Sequence, residues 1–366
     1  MRNDYLTYIS LVRAALWGER TIWPEKKTEQ LLRLNACQHT EGIVYPFVLT
    51  HSTLSSHARV HMKSAYARNA QRQVALQRTL VIAWRALEQA GIHAVLMKGV
   101  GLAIYYQEQQ RREWGDIDLY VGPEQYHFAC TVMRETFSNA IKFDEELDHY
   151  KHYNLIVDGV SVEVHRITVN MFHPIDKYLY AKIERYGMTN NRELEVNDLI
   201  VRVPEPTYNA LLVFLHSWEH MLNAGANIRQ FCDLALLLKN TSIEIKPILL
   251  KRWLISLNLL NVWQLYMYIL VQYIGLSAND TYFYTAHVAD RANLLLEDLL
   301  SGKMVFPKVV HEIPKRRVAR KIYTMRERFE NARRIKKYSP SYARHMVVTT
   351  LLNGACRLFA KDRHWE

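Results

Sequence analysis

The chain has 366 residues, of which 49% are hydrophobic and 23% are charged. This composition is typical of a globular protein and excludes an intrinsically disordered chain, while the length favours about two or three domains. The net charge of +11 is confined to residues 303–344, which contain 14 lysines and arginines against three acidic residues. A surface for nucleic acid is therefore expected only in this basic segment, which also fits a solvated amphipathic helix.

The cysteines and the hydropathy pattern exclude further classes of protein. Four scattered cysteines lack the CxxC spacing of a zinc site and suggest no disulfide framework, which favours buried thiols in a reducing compartment. The N-terminus has no signal-peptide pattern, so a cytoplasmic location is expected. The uncharged run from Leu254 to Asn279 is long enough to span a membrane, but its polar residues recur along one helical face, which favours a buried helix and no membrane span.

The predicted elements divide the chain into three parts. In residues 1–90 apolar residues recur at helical spacing, and Gly91 ends the last helix. Residues 91–205 change to short strands and helices, and residues 206–366 are helical again. The elements predicted after Gly91 are the strands His93–Met97, Asp116–Val121, Tyr153–Val157 and Ser161–His165, and the helices Val100–Gln107, Pro123–Thr136, Tyr208–Leu222, Ile228–Leu238, Ile248–Tyr273 and Ala286–Leu300.

Acidic residues alternate with apolar residues on two of these strands. Asp116 and Asp118 lie two apart on one strand, and Glu163 lies on the second strand of a hairpin that Asp158-Gly159 is expected to close. Because strand side chains alternate, the three carboxylates converge on one face if the strands are neighbours. Oxygen ligands of this kind suit Mg²⁺ or Mn²⁺. Alone, the pair of aspartates is better explained by a solvated strand face, so the prediction of a metal site depends on the residues around it.

Basic residues and a glycine precede the acidic pair. Lys98-Gly99 ends a buried strand and opens a helix, where a glycine lets backbone N–H groups approach a phosphate and a lysine adds a positive charge. Arg112 lies four residues before Asp116 and is also placed to meet phosphate. An ordinary strand-to-helix turn and a solvated loop are the alternative interpretations. The chain has no P-loop, GxGxxG motif or serine nucleophile elbow, which argues against the corresponding classes of enzyme.

Residues 96–121, LMKGVGLAIYYQEQQRREWGDIDLYV, resemble the signature of the uncharacterised nucleotidyltransferase family within the DNA polymerase-β-like superfamily. That signature is a Leu-x-Lys-Gly turn, a tyrosine-containing helix, an arginine and Gly-Asp-Ile-Asp-Leu-x-Val. The residues that match it are Lys98, Gly99, Tyr105, Arg112, Gly115, Asp116 and Asp118. The sequence VEVH at 162–165 resembles the third-acid strand of the family, which assigns Glu163 and His165, and the helical stretch around Ile228–Leu234 also fits.

The resemblance implies an α+β fold, in which a small mixed-sheet, polymerase-β-type core in residues 91–205 is flanked by N-terminal helices and a large C-terminal helical domain. It also implies a nucleotidyltransferase that moves a nucleoside monophosphate from an NTP, with ATP favoured, to an acceptor hydroxyl. A two-metal in-line mechanism would use Mg²⁺, or alternatively Mn²⁺. The acceptor is left open between a small molecule, a protein and an RNA bound through residues 303–344.

The resemblance also distributes roles among the candidate residues. Asp116, Asp118 and Glu163 would hold the metal ions, with Glu163 nearest the attacking hydroxyl. The expected nucleotide-binding residues are Lys98, Gly99, Arg112, His165 and Arg229. The superfamily often has Gly-Ser or Gly-Gly at the phosphate turn, whereas this chain has Gly99-Val100. Since valine offers no hydroxyl, Lys98 is expected to replace that contact.

Two further pairs of residues have less specific spacing. His216 and His220 lie one helical turn apart, which permits metal chelation but more often reflects packing or contact with a substrate. Arg229 and Asp233 are also four apart, so an ion pair within the helix is expected unless Arg229 faces the cleft. Two other functions stay open: a catalytically inactive nucleotide-binding or toxin–antitoxin-type protein, and an RNA-binding protein that uses the basic segment.

Overall fold

The computed structural model describes residues 1–113, 115–142, 151–171, 174–196, 199–223, 225–303 and 317–359. The N-terminal part is helical, as predicted. Its helices are α1 (Asn3–Trp17), α2 (Thr28–Cys37), α3 (Glu41–His51) and α4 (Ser56–Gln89). Helix α4 begins where the Ser55 side chain accepts a hydrogen bond from the backbone N–H of Ala58, which is a typical N-cap.

A small mixed sheet follows the N-terminal helices. Its strands run in the order β1-β2-β5-β4-β3, with β2 and β5 parallel and the other neighbours antiparallel. This sheet between helical regions confirms the predicted α+β class. The strands are β1 (Val95–Met97), β2 (Asp116–Tyr120), β3 (Ile141–Lys142), β4 (His152–Val157) and β5 (Val160–His165), and the helices between them are α5 (Lys98–Ala103) and α6 (Gly122–Thr136).

The turn between β4 and β5 forms as its sequence predicts. Asp158 and Gly159 both have positive φ, 48° and 81°. Two consecutive positive φ values match the type I′ geometry that suits the twist of paired strands. The turn sets the register of the hairpin, so that Val157 lies opposite Val160 and His152 lies opposite His165.

Helices dominate the rest of the chain. Helix α7 (Pro174–Thr189) and a separate hairpin of β6 (Arg192–Val196) and β7 (Leu199–Val203) were not predicted from the sequence. The remaining helices are α8 (Pro206–Asn223), α9 (Ile228–Thr241), α10 (Pro247–Ser256), α11 (Leu260–Ile269), α12 (Ala289–Leu300), α13 (Arg317–Ile335) and α14 (Pro340–Phe359). Within the described part of the chain, no helix is both long enough and apolar enough to cross a bilayer.

The prediction of one helix over Ile248–Tyr273 was wrong, because the chain breaks between α10 and α11. Asn258 has a positive φ of 56°, and the backbone N–H of Leu259 donates to the carbonyl of Leu254. A left-handed residue followed by such a bond is a Schellman-type helix end, and asparagine tolerates that conformation better than most residues. Helix α11 then continues into a π-helical turn at Leu270–Ile274.

Two hydrophobic cores hold the fold together. The first joins the N-terminal helices to α7–α12 and contains Trp23, Trp218 and Trp263. The second lies between the sheet, α4 and α6 and contains Ile117 and Val162. Helix α4 contributes to both cores, since its first half packs in one and its second half packs in the other.

The expectation of buried cysteines holds for two of the three described thiols. Cys130 and Cys232 are buried and free, whereas Cys37 is free but exposed. Cys37 is the last residue of α2, where the helix ends at the surface. The side chain of Cys356 lies outside the described residues.

Changing Gly187 in α7 to alanine is expected to destabilise the protein. An added Cβ would lie 2.0 Å from Cγ of Tyr208, a ring that is fully buried and hydrogen-bonded to Tyr180 and Thr168. Overpacking of a closed core costs about 1–3 kcal/mol or more, which urea denaturation followed by circular dichroism would measure. Gly115→Ala is the matched control, because nothing lies within 4 Å of its added Cβ. Equal stability of the two variants would contradict the prediction.

Candidate active site

Three carboxylates converge on one face of the sheet. Strands β2 and β5 pair in parallel with Asp118 opposite Glu163, and Asp116 lies two residues before Asp118 on the same face. Carboxylate oxygens of the three residues lie within 4.8 Å of one another. The alternate residues Ile117 and Val162 are fully buried on the opposite face, so the hydrophobic core fixes the direction of the acids. The sequence-predicted juxtaposition of the two strands is therefore present.

The Lys98-Gly99 turn lies against these acids. The Lys98 Nζ lies 3.0 Å from Oδ1 of Asp118, and both side chains are buried. A Cβ on Gly99 would lie 2.7 Å from the carbonyl oxygen of Asp116, so the backbone approaches β2 more closely than any other residue type would allow. In the structure Lys98 is paired with a carboxylate, and its predicted contact with the triphosphate stays a prediction.

His165 is the second group that contacts Asp118. Its Nε2 lies 2.8 Å from Oδ1 of Asp118 and 3.0 Å from Oε2 of Glu163, and the ring is fully buried. A donor between two carboxylates fixes the orientation of both. His165 therefore lies at the acids as the resemblance implied, but its role in binding nucleotide stays a prediction.

His152 is a residue of this site that the sequence analysis missed. Its Nδ1 lies 3.9 Å from Oε2 of Glu163, and its ring centroid lies 5.0 Å from that of His165. A second group of potential ligands, His152, Glu163 and His165, has atoms within 4.8 Å of one another. The sequence could have predicted this position, because a two-residue turn at Asp158-Gly159 sets the register of the hairpin and places His152 opposite His165.

The electrostatics of the cluster separate the three acids. The charge of Asp118, then burial and the charge of Glu163, raise the pKa of Asp116 to about 6. Burial also acts to raise the pKa of Asp118, but Lys98 and His165 outweigh it and hold that pKa well below its usual range. Burial is likewise outweighed at Glu163, where the hydrogen bond from His165 lowers the pKa. Like charges that are this close favour a bound cation.

Arg112 is held by Asp233 from α9. The Nε and Nη2 of Arg112 donate to the two carboxylate oxygens at 2.8 and 2.9 Å, and the Tyr106 hydroxyl donates to the same carboxylate at 2.8 Å. The predicted ion pair of Arg229 with Asp233 within α9 was wrong, because Arg112 takes both oxygens. The role of Arg112 as a phosphate ligand stays a prediction.

Arg229 lies beside this buried pair. Its Nη1 donates to the backbone carbonyl of Glu113 at 2.8 Å, and its Nε is buried with no hydrogen-bond partner among the described residues. Burial, followed by the charge of Arg112, lowers the pKa of Arg229. Two guanidinium groups thus lie near one carboxylate, and only Arg112 is paired with its oxygens.

The two histidines of α8 face the same region. His216 and His220 are in edge-to-face contact with ring centroids 4.5 Å apart. Burial, and then the charge of Lys98, lower the pKa of His216 well below its usual range, so its ring is neutral. Packing or contact with a substrate stays the favoured interpretation of this pair.

The basic segment is only partly visible, because residues 304–316 lie outside the described ranges. Its described part includes most of α13, where Arg326 is 80% exposed and pairs with Glu330. Exposed ion pairs of this kind are found on many solvated helices. Binding of nucleic acid by residues 303–344 therefore stays a prediction.

Comparison with known proteins agrees with this site. The sequence profile of a family described as "Uncharacterised nucleotidyltransferase" matches residues 24–275, and no curated protein matches the chain. The crystal structure of an antigenic nucleotidyltransferase-like protein from Paracoccidioides brasiliensis has 16% identity, covers 44% of this chain and 74% of its own, and has a TM-score of 0.30. That structural likeness is too low to carry an argument. The family match spans more than half of the chain and includes every residue of the acid cluster, so the protein belongs to the uncharacterised nucleotidyltransferase family.

Proposed function

We propose that this protein transfers a nucleoside monophosphate from an NTP to an acceptor hydroxyl with the help of a divalent cation. The observation that carries the proposal is the convergence of Asp116, Asp118 and Glu163, whose carboxylate oxygens lie within 4.8 Å of one another. The polymerase-β-like superfamily uses such carboxylates for this reaction, and the family match supports the general activity. Mg²⁺ is the proposed ion and Mn²⁺ an acceptable substitute.

The donor atoms fit a hard cation. All three side chains offer carboxylate oxygens, which Mg²⁺ and Mn²⁺ prefer over nitrogen or sulfur. The Oδ2 of Asp118 is buried and has no hydrogen-bond partner in the described parts of the chain, which is costly unless a cation binds there. When bound, such an ion neutralises charge on the phosphoryl oxygens during an in-line displacement.

The chain's own residues supply orientation and charge. His165 holds Asp118 and Glu163 in place through its Nε2. Asp118 is 1% exposed in its side chain and Glu163 is 20% exposed, so Glu163 is the more accessible acid and the better placed to meet an attacking hydroxyl. Arg112 acts electrostatically on Asp116, and positive potential at this position favours the triphosphate of an NTP.

The finer parts of the proposal concern location and substrates. We favour ATP as the donor and a cytoplasmic location, and the acceptor hydroxyl belongs to a small molecule, a protein or an RNA bound by residues 303–344. If RNA is the acceptor, its affinity should fall steeply between low and moderate salt, because phosphate contacts release counterions.

The proposal is tested by label transfer. Purified protein is incubated with each of the four NTPs carrying a labelled α-phosphate, with Mg²⁺, and with acceptors of the three classes. We expect label in one acceptor, sensitivity to chelator, and loss of label in Glu163→Gln. Label from the γ-phosphate instead would exclude nucleotidyl transfer, and chelator-insensitive transfer would contradict the role of the cation.

A further inference from the structure

Lys98 is a positive charge built into the acid cluster. Its side chain is 7% exposed and its Nζ lies 3.0 Å from Oδ1 of Asp118. Asp116 and Glu163 also act on it, and despite burial these charges raise its pKa above the usual lysine value. A lysine ammonium group, which is ordinarily charged at neutral pH, is therefore held among three carboxylates, where a cation is also expected to bind.

The turn that carries Lys98 restricts its position. Lys98 has a positive φ of 44°, and Gly99 after it approaches the carbonyl of Asp116 so closely that no Cβ fits. A non-glycine residue with positive φ is uncommon and persists where the surroundings hold it. The turn therefore fixes the backbone of Lys98 beside the acids, and only rotation of its side chain can move the ammonium group away from Asp118.

Asp118 has limited capacity for a cation while this contact persists. Its Oδ1 receives both Lys98 at 3.0 Å and His165 at 2.8 Å, which fills the two acceptor positions of a carboxylate oxygen. Its Oδ2 has no hydrogen-bond partner among the described residues. Only Oδ2 of Asp118 is thus available to a metal ion. A carboxylate that binds two metal ions usually offers one oxygen to each, and Oδ1 is already occupied.

The charges of the cluster also favour a single divalent cation in the absence of nucleotide. Three carboxylates, the Lys98 ammonium group and the His165 ring between two of the carboxylates leave at most two negative charges, so a single divalent cation is enough to neutralise the cluster. A second divalent cation would make the cluster positive unless an anion arrived with it, and the triphosphate of an NTP is such an anion.

We propose that Lys98 is an internal counterion that limits the nucleotide-free protein to one divalent cation, so that a second cation enters only together with the NTP. The inference rests on the proposed function and adds the order in which the site is filled. Lys98 then moves from Asp118 to the incoming phosphates. Lys98 is a positioning residue in this role, because it acts through Asp118.

The test counts bound Mn²⁺ in the full-length protein without nucleotide, by electron paramagnetic resonance of the free ion and by calorimetry. We expect one Mn²⁺ per chain for the wild type. Lys98→Met keeps the length of the side chain without its charge, so we expect either a second Mn²⁺ or an affinity at least about tenfold higher. Lys98→Arg keeps the charge and should stay at one Mn²⁺ with little change in affinity.

Lys239→Met is the matched control. Lys239 also contacts an aspartate, with its Nζ 2.9 Å from Oδ2 of Asp280, but it is 52% exposed and lies outside the acid cluster. Its substitution should leave Mn²⁺ binding unchanged. A non-hydrolysable NTP analogue added to the wild type should bring the number of bound Mn²⁺ ions to two.

The outcomes separate the inference from the proposed function. The inference would be overturned by two Mn²⁺ ions in the nucleotide-free wild type, or by unchanged Mn²⁺ binding in a folded Lys98→Met. The proposed function would still stand in either case if the wild type transfers label. Absence of Mn²⁺ binding in every nucleotide-free variant would overturn the inference, and absence of label transfer by the wild type as well would overturn the proposed function. If circular dichroism shows that Lys98→Met does not fold, the number of Mn²⁺ ions bound by the wild type and by Lys98→Gln is compared instead, with the same expected results.

Discussion

Asp118→Asn is expected to slow nucleotidyl transfer by about 1000-fold or more, since a bound cation contributes several kcal/mol to the transition state and each ~1.36 kcal/mol is tenfold in rate. The change removes the charge of a residue that is 1% exposed and contacts both Lys98 and His165. Asparagine has nearly the same volume as aspartate, so the fold should persist. Initial rates of label transfer measure the effect, and circular dichroism checks the fold.

The matched control for this prediction is Asp158→Asn. Asp158 is exposed in the turn between β4 and β5 with a φ of 48°, a conformation that asparagine also tolerates. Its transfer rate should equal that of the wild type. A rate for Asp118→Asn within tenfold of the wild type would show that the acid cluster is not the catalytic centre.

Asp233→Ala is expected to lower the free energy of unfolding by about 3–5 kcal/mol, the usual cost of removing one partner of a buried ion pair. Asp233 accepts two hydrogen bonds from Arg112 and one from Tyr106, and all three side chains are buried. Without it, Arg112 and Arg229 would remain as two neighbouring cations with no carboxylate between them. Urea denaturation and the thermal midpoint measure the loss.

Asp280→Ala provides the comparison for this stability prediction. Asp280 pairs with Lys239, which is 52% exposed, so the loss should be at most about 1 kcal/mol. If Asp233→Ala were no less stable than Asp280→Ala, the buried pair would not anchor α9 to the segment before β2.

The sequence predicted the acid cluster because alternation in strands is a local property. Asp116, Asp118 and Glu163 were each placed on one face by the apolar residues beside them, and the Asp158-Gly159 turn set the hairpin register. Only the parallel pairing of β2 with β5 could not be predicted and was found in the structure. The same turn also predicts the position of His152. This residue was missed because the predicted strand began at Tyr153, one residue after the observed start of β4.

Contacts between distant segments could not be predicted in this way. Arg112 and Asp233 are 121 residues apart, and nothing local to α9 shows that its aspartate turns away from Arg229. The contact of Lys98 with Asp118 could not be predicted either. It depends on the antiparallel pairing of β1 and β2, which places Met97 opposite Asp118. Helix α7 and the β6–β7 hairpin lie between His165 and Tyr208, where the sequence predicted no element.

The participation of α4 in both hydrophobic cores has a consequence for how this protein loses its structure. Met62 and Ala65 pack in the first core, and Leu76, Leu80 and Leu87 cover the sheet in the second. Because melting either core would unwind part of the same helix, we expect the two cores to unfold together in a single transition. We therefore expect that the sheet carrying the acids does not fold by itself without the helices that α4 joins to it.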